Sequence, residues 1–139
     1  MILLDTNVIS ALMQPNFEAK IEDWLNNEDD NHIYISCISI AEIEYGIALL
    51  PLGRRQRDLR RFADDFFQAF SEHSLYFGDM AAQVYGSVRA NRRKIGRPIH
   101  VPDAQIASIA LAHGLTLATR NTKDFTDIPN LQIINPWEL

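Results

Sequence analysis

Cysteine is almost absent from this sequence: Cys37 is the only one among 139 residues, so no internal disulfide bond can form. The chain also lacks an uncharged apolar stretch of the roughly 18 residues that a membrane-spanning helix needs. Asp5 interrupts the apolar N-terminus, and no basic segment precedes it, so a secretory signal peptide is not indicated. These absences argue against a disulfide-stabilised secreted scaffold and against an integral membrane protein. We therefore expect a cytoplasmic protein without a membrane partner.

Several common catalytic motifs are missing as well. The sequence has no G-x-x-x-x-G-K-[ST] loop, no G-x-G-x-x-G turn and no G-x-S-x-G elbow, which argues against a P-loop nucleotidase, a dinucleotide-binding enzyme and an α/β-hydrolase. The four histidines are scattered along the chain without the spacing of metal ligands. Asp5-Thr6-Asn7 has only a superficial likeness to the D-x-D motif of haloacid-dehalogenase-type phosphatases, because Asn7 stands where the second acid would be.

The remaining pattern is that of a single α/β domain spanning residues 1–139. Apolar residues make up 47% of the chain, enough for a compact core. Short apolar runs predict the strands Ile2–Leu4, Ile33–Ser36, Ser74–Phe77, Leu115–Thr119 and Leu131–Ile134. The helices predicted between them are Thr6–Met13, Phe17–Asn26, Ile38–Leu50, Arg54–Ser71, Asp79–Ile95 and Asp103–His113, with a short turn at Thr122–Phe125. This alternation predicts a three-layer α/β/α sandwich around a central, mainly parallel sheet.

Acidic and amide side chains stand where the predicted strands end. Asp5 follows the first strand, and Glu42 lies one turn into the helix after the second. Asp103 opens the last long helix, while Asn121 and Asp124 follow the fourth strand. The carboxyl ends of parallel strands meet at one edge of a sheet, so these side chains should converge on one pocket. Crowded carboxylates repel each other until a cation neutralises them, and oxygen ligands favour Mg²⁺ or Mn²⁺.

Helix capping offers a simpler explanation for most of these residues. Ser39 and Glu42 fit an S-x-x-E capping box, and Asp103 could offset the dipole of its helix. Asn121 and Asp124, three residues apart, could cap the following turn. Capping does not explain why such residues follow several strands of one sheet. The sequence leaves both explanations open for each residue taken alone.

Positive charge is concentrated in two short stretches. The net charge is −5, yet five of the 13 Lys and Arg residues lie in Arg54–Arg61 and five in Arg89–Arg97. Such patches on an acidic chain are compatible with a groove for nucleic acid, or with ordinary solvated helix faces. The RNA-binding candidates within them are Arg54, Arg55, Arg57, Arg92 and Arg93.

Four segments together resemble a PIN domain, and most closely the VapC and FitB group of toxin-like nucleases. They are LLDTNVIS, ISIAEIEYGIALL, PDAQIASIALAHGLTLATRNTKDF and INPWEL, and the resemblance spans Met1 to Leu139. It implies a PIN-like fold with Asp5, Glu42 and Asp103 as catalytic carboxylates, of which Asp5 and Asp103 bind the metal. Either Asn121 or Asp124 would complete the catalytic set. The resemblance also implies polar residues that hydrogen-bond the carboxylates or their waters, namely Thr6, Asn7 and Thr119.

The same resemblance implies a function and partners. The chain would be the toxin of a type II toxin–antitoxin module and an endoribonuclease that uses Mg²⁺, with Mn²⁺ as a substitute. Its partners would be a cognate antitoxin, an RNA substrate and a second copy of itself, with larger assemblies formed by the antitoxin and operator DNA reached only through it. One alternative is a protein that assists operator binding and has little nuclease activity. Another is a metal-dependent phosphatase, or a nuclease with a different substrate.

Overall fold

A central parallel sheet organises the chain. The computed structural model describes residues 1–15 and 18–139, so the predicted helix start at Phe17 lies outside the described residues. Five parallel strands run in the order β3-β2-β1-β4-β5. The strands are β1 Ile2–Leu4, β2 Ile33–Ser36, β3 Ser74–Leu75, β4 Thr116–Ala118 and β5 Ile133–Ile134. The helices are α1 Thr6–Leu12, α2 Ala19–Asn27, α3 Cys37–Leu49, α4 Arg54–Ala69, α5 Asp79–Lys94 and α6 Val101–His113.

The first strand occupies the middle of the sheet and is covered on both faces. Ile2 pairs with Ile33 on one side and with Thr116 on the other. Leu3 and Leu4 are fully buried and point to opposite faces, as successive residues of a strand do. A continuous apolar run is what a strand buried on both faces requires. The most central strand therefore ends directly before Asp5.

Two apolar clusters fill the space between the sheet and its helices. One contains Leu3, Leu117 and Ile106 of α6. The other contains Leu4 and Ile21, and places α1, α2, α3 and α4 on the opposite face. The predicted three-layer α/β/α sandwich with a parallel sheet is therefore confirmed.

Element boundaries differ from the predictions by a few residues. Helix α6 begins at Val101 instead of Asp103, so Asp103 lies within its first turn. Helix α6 ends at His113, and the following Gly114 has a φ of 64°, the left-handed conformation expected of a glycine after a helix. Strand β3 covers only Ser74–Leu75, shorter than predicted, because it lies at the sheet edge and pairs with β2 over two residues. Within residues 1–15 and 18–139, no helix is long and apolar enough to cross a membrane.

Candidate active site

Four acids face one another at the carboxyl edge of the sheet. Asp5 leaves β1, Glu42 lies on α3, Asp103 on α6, and Asp124 on the turn after β4. Each of the other acids raises the pKa of Asp103 by electrostatic repulsion, and Glu42 and Asp124 do the same to Asp5. The four carboxylates predicted from the strand ends are thus brought within electrostatic range of each other.

Asp5 is the most buried of them, with 5% of its surface exposed. Its Oδ1 accepts a hydrogen bond of 2.8 Å from the backbone N–H of Thr6, so it also caps α1. Its Oδ2 accepts a hydrogen bond of 2.8 Å from Thr119 Oγ1. Burial raises the pKa of Asp5 to about 6, although both hydrogen bonds favour the ionised form. Capping and a place in the acidic cluster are therefore compatible at this residue.

Asp103 has a similar electrostatic environment. It is partly buried in the first turn of α6. Its pKa is raised to about 6, first by burial and then by repulsion from Asp5, Asp124 and Glu42, while His100 lowers it. A lone acid at a helix N-terminus would be stabilised in its charged form, so the raised pKa reflects the neighbouring carboxylates and the loss of water.

Glu42 is held by a chain of hydroxyl groups. Thr6 Oγ1 donates a hydrogen bond of 2.7 Å to Glu42 Oε1, and it lies 2.8 Å from Ser39 Oγ. Because the single proton of Thr6 is used on Glu42, Ser39 must donate to Thr6. The alternative of a Ser39–Glu42 capping box is wrong, since α3 is capped by Ser36, whose Oγ accepts from the N–H of Ser39 over 3.2 Å. Ser39 was not among the predicted site residues; its only signal is a serine three positions before Glu42.

A second network fixes the turn after β4. Thr119 Oγ1 accepts hydrogen bonds from the backbone N–H of Asn121 over 3.0 Å and from Asn7 Nδ2 over 3.2 Å. Asn7 Oδ1 accepts from the backbone N–H of Arg120 over 3.3 Å. The Asn121 side chain makes no capping bond to the turn Thr122–Asp124. These contacts join the ends of β1 and β4, and they hold Asp5 and the turn that carries Asp124 in register.

The donor set suits a hard divalent cation. All four acids offer oxygen, and none of the ion pairs found in residues 1–15 and 18–139 neutralises any of them. Among the same residues, no three His, Cys, Asp or Glu side chains are close enough together to hold an ion directly. A cation at this site would thus have few direct protein ligands and keep several waters, which is the usual coordination of Mg²⁺.

Most of the predicted RNA-binding arginines are exposed. Arg54, Arg55 and Arg57 lie on the first turns of α4, and Arg93 lies near the end of α5. Each presents its side chain to solvent, where a phosphate could reach it.

Arg92 is different, and the prediction that it contacts RNA is wrong. Only 4% of its surface is exposed. Its Nε donates to the carbonyl of Arg97 over 2.8 Å, and its Nη1 donates to the carbonyls of Asp124 and Thr126 over 2.7 and 3.2 Å. The guanidinium group therefore ties the loop that carries Asp124 to the end of α5. Charge patterning alone cannot distinguish an arginine that satisfies buried carbonyls from one that faces solvent.

Comparisons with known proteins agree with this geometry. Plasmid stability protein StbB of Pseudomonas syringae pv. tomato is 40% identical over 139 residues, and VapC ribonuclease Y4jK of Sinorhizobium fredii is 35% identical; each match covers 99% of both chains. The crystal structure of FitAcB from Neisseria gonorrhoeae superposes with a TM-score of 0.91 at 35% identity and covers both chains completely. A structure of FitAB bound to an IR36 DNA fragment also superposes with a TM-score of 0.91, at 34% identity. This match covers 100% of the present chain and 97% of the FitAB chain. The PIN domain model matches residues 2–131, and the chain therefore belongs to the PIN domain family.

Proposed function

We propose that this protein is the toxin component of a type II toxin–antitoxin module and that it hydrolyses RNA as a metal-dependent endonuclease. The observation that carries the proposal is the cluster of Asp5, Glu42, Asp103 and Asp124, which repel one another and which none of the ion pairs in the described residues neutralises. Similarity over the whole chain to a VapC ribonuclease and to the FitAcB structure supports it.

Asp5 and Asp103 would hold Mg²⁺, or Mn²⁺ in its place, and Glu42 and Asp124 would act through its waters. The bound ion would lower the pKa of a water molecule and offset the negative charge that develops on the phosphoryl oxygens. The protein's own contribution is orientation. Thr119 and the N–H of Thr6 fix the two oxygens of Asp5, while the Thr6 hydroxyl fixes Glu42 Oε1, so that the carboxylates are preorganised around the attacking water.

The substrate reaches an acidic pocket only if positive charge lies beside it. Exposed arginines on α4 and Arg93 on α5 supply that charge for the phosphates outside the pocket. A single-stranded loop is the favoured target, because its backbone can enter a cleft that a duplex cannot. The protein would act in the cytoplasm, where such RNA is found.

A cognate antitoxin and a second copy of the chain are the proposed protein partners. Tyr45 and Leu49, one turn apart on α3, are 67% and 66% exposed, so α3 presents an apolar face suited to a homodimer contact. Operator DNA would be reached through the antitoxin. The FitAB structure with DNA also favours a second candidate function, in which the chain serves operator binding and has little nuclease activity.

Cleavage of total cellular RNA by the purified protein distinguishes the two functions. We expect cleavage in Mg²⁺ or Mn²⁺ that stops in excess EDTA. Asp5→Asn, Glu42→Gln and Asp103→Asn keep side-chain shape and remove charge, and each should reduce the rate by about a hundredfold or more, as the loss of preorganised charge stabilisation does elsewhere. Asp79→Asn, at the first turn of α5, is the matched control and should cleave normally. Undiminished cleavage by Asp5→Asn, or full activity in EDTA, would contradict the mechanism.

A further inference from the structure

We propose that a pocket between α1, α3 and α4 binds one base of the RNA, with Arg55 at the adjoining phosphate. The pocket has a volume of about 200 Å³. Thr6 and Glu42 line one end of it, and Arg55 lines another part. We call it the α1–α3 pocket. The proposal rests on the proposed function, because it assigns a place to a base next to the phosphate at the carboxylates.

The walls of the α1–α3 pocket have the chemistry of a nucleobase site. Met13, Ile43 and Leu59 offer apolar surface against which the face of a base could pack. Ser10 and Gln14 bring a hydroxyl and an amide into the same lining, and both can pair with the donors and acceptors of a base edge. Apolar walls with a few polar groups are typical of pockets for small planar ligands.

Gly46 keeps this pocket open. It lies in the interior of α3 and lines the pocket. Apart from its chain neighbours and the nearby backbone of its own helix, no heavy atom of the described residues comes within 4 Å of the position that a Cβ would occupy. A glycine in a helix interior costs about 0.5–1 kcal/mol relative to alanine. Neither close packing nor the backbone conformation of this helix requires it. An unfilled space beside Glu42 is what a bound group would use.

Arg55 indicates that the occupant is a nucleic acid. The arginine is exposed, and in the described part of the chain it forms no ion pair. A second cavity of about 690 Å³ shares Arg55, Met13 and Leu59 with the α1–α3 pocket and extends past Arg54 to Phe62. The path from Glu42 outward is therefore lined by apolar surface and bordered by Arg55 and by Arg54, of which Arg54 forms an ion pair of 3.8 Å with Asp58 in the same lining. A polyanion that carries planar bases complements both features, and it must reach the carboxylates in any case.

Filling the pocket provides the test. Gly46→Leu should fold, because a Cβ added at Gly46 meets no neighbouring side chain, and Gly86→Leu in α5 is the matched control because a Cβ there is equally free of contacts. On a short single-stranded RNA of random sequence, Gly46→Leu should lower kcat/KM by about tenfold, the loss expected when roughly 50–60 Å² of apolar contact is removed at about 25 cal/mol per Å². Gly86→Leu should cleave like wild type. Arg55→Gln should raise KM with little change in kcat, and Arg55→Lys should restore part of the loss.

A strand of abasic ribose phosphates separates base binding from a distorted active site. Wild type and Gly46→Leu should hydrolyse it at equal rates, whereas damage to the carboxylates would slow the variant on both substrates. Wild-type rates for Gly46→Leu on the base-containing RNA would overturn the proposal. If that variant instead lost affinity for the antitoxin, the occupant would be a protein segment, and the proposal would be wrong. If wild type cleaved no RNA, the proposed function would fail, and anisotropy of a labelled RNA would still compare binding by the two proteins.

Discussion

Thr119 donates a hydrogen bond from its hydroxyl group to Oδ2 of Asp5 over 2.8 Å, although the two residues are 114 positions apart in the chain. The contact exists because β1 and β4 are parallel neighbours: the N–H of Asp5 donates to the carbonyl of Ala118 over 2.9 Å and brings the two strand ends together. The sheet thus positions the most buried acid of the site and supplies the donor that favours its ionised form.

Thr119→Val should shift the pH dependence of cleavage. The hydrogen bond from Thr119 lowers the pKa of Asp5, so its loss should raise that pKa further above about 6. The acidic limb of the pH–rate profile should then move to higher pH, because less of Asp5 is ionised at a given pH. Thr119→Ser keeps the donor and should retain the wild-type profile. An unchanged profile in Thr119→Val would show that Asp5 ionisation does not limit the rate.

Stability of the metal-free protein should fall as the pH rises through the range in which Asp5 ionises. The folded state raises the pKa of Asp5 from 3.8 to about 6, so it binds the proton more tightly than the unfolded chain. The associated stability is present below pH 3.8 and is lost as the pH rises past about 6. A shift of this size at a buried group corresponds to roughly 3 kcal/mol. Denaturant unfolding in EDTA should show that the free energy of unfolding of Asp5→Asn rises relative to that of wild type as the pH increases through this range. A difference between the two proteins that did not change with pH would contradict the raised pKa of Asp5.

Mg²⁺ should stabilise wild type and not Asp103→Asn. An ion that binds only the folded protein raises the free energy of unfolding by RT ln(1 + [L]/Kd). If Asp103 acted only on its helix, Asp103→Asn would melt with the same Mg²⁺-induced shift as wild type. Because Asp103→Asn removes one charge from the acidic cluster, this variant should instead lose most of the Mg²⁺-induced shift. In EDTA its melting temperature should be similar to that of wild type or higher. Asp79→Asn, an acid in the first turn of α5, should keep the full shift.

The layer order and the convergence of the acids could be predicted from the sequence because both follow from local patterns. Alternating apolar runs and amphipathic segments determine a parallel sheet, and a parallel sheet brings the ends of its strands together. Asp5, Glu42 and Asp103 could therefore be grouped without coordinates, whereas Thr119 beside them is indicated only by the resemblance to PIN domains.

Long-range side-chain contacts could not be predicted in this way. The serine that caps α3 is Ser36 instead of Ser39, because the helix begins one turn earlier than its S-x-x-E spacing suggests. This shift frees Ser39 to support Thr6. The buried state of Arg92 depends on carbonyls more than thirty residues away, at Asp124 and Thr126, and no helical periodicity reveals them.

Substitution of the apolar face of α3 should separate the proposed homodimer into monomers. Tyr45→Glu together with Leu49→Glu places two charges on side chains that are 67% and 66% exposed, so the isolated fold should tolerate them. Burying those charges against a second copy would be strongly unfavourable. Light scattering after size-exclusion chromatography should report a dimer for wild type and a monomer for the variant. Leu139→Glu, at the C-terminus and 64% exposed, should leave the mass unchanged. A variant that remained dimeric would place the contact elsewhere.

Arg92→Gln should impair both stability and cleavage, although Arg92 touches none of the carboxylate groups. Its guanidinium group satisfies three backbone carbonyls, and the shorter amide of glutamine would leave some of these partly buried acceptors without their partner, which destabilises the folded state. Arg92→Lys should not restore the wild type, because a single ammonium group cannot reproduce the planar fork.

The two effects of Arg92→Gln have different readouts. Thermal melts should show a lower Tm, whereas the exposed Arg93→Gln should melt like wild type. Because the loop that Arg92 holds carries Asp124, the variant should also need more Mg²⁺ for half-maximal cleavage at a temperature where it is fully folded. A destabilised variant with an unchanged Mg²⁺ requirement would show that Arg92 supports the fold alone and that the position of Asp124 does not depend on it.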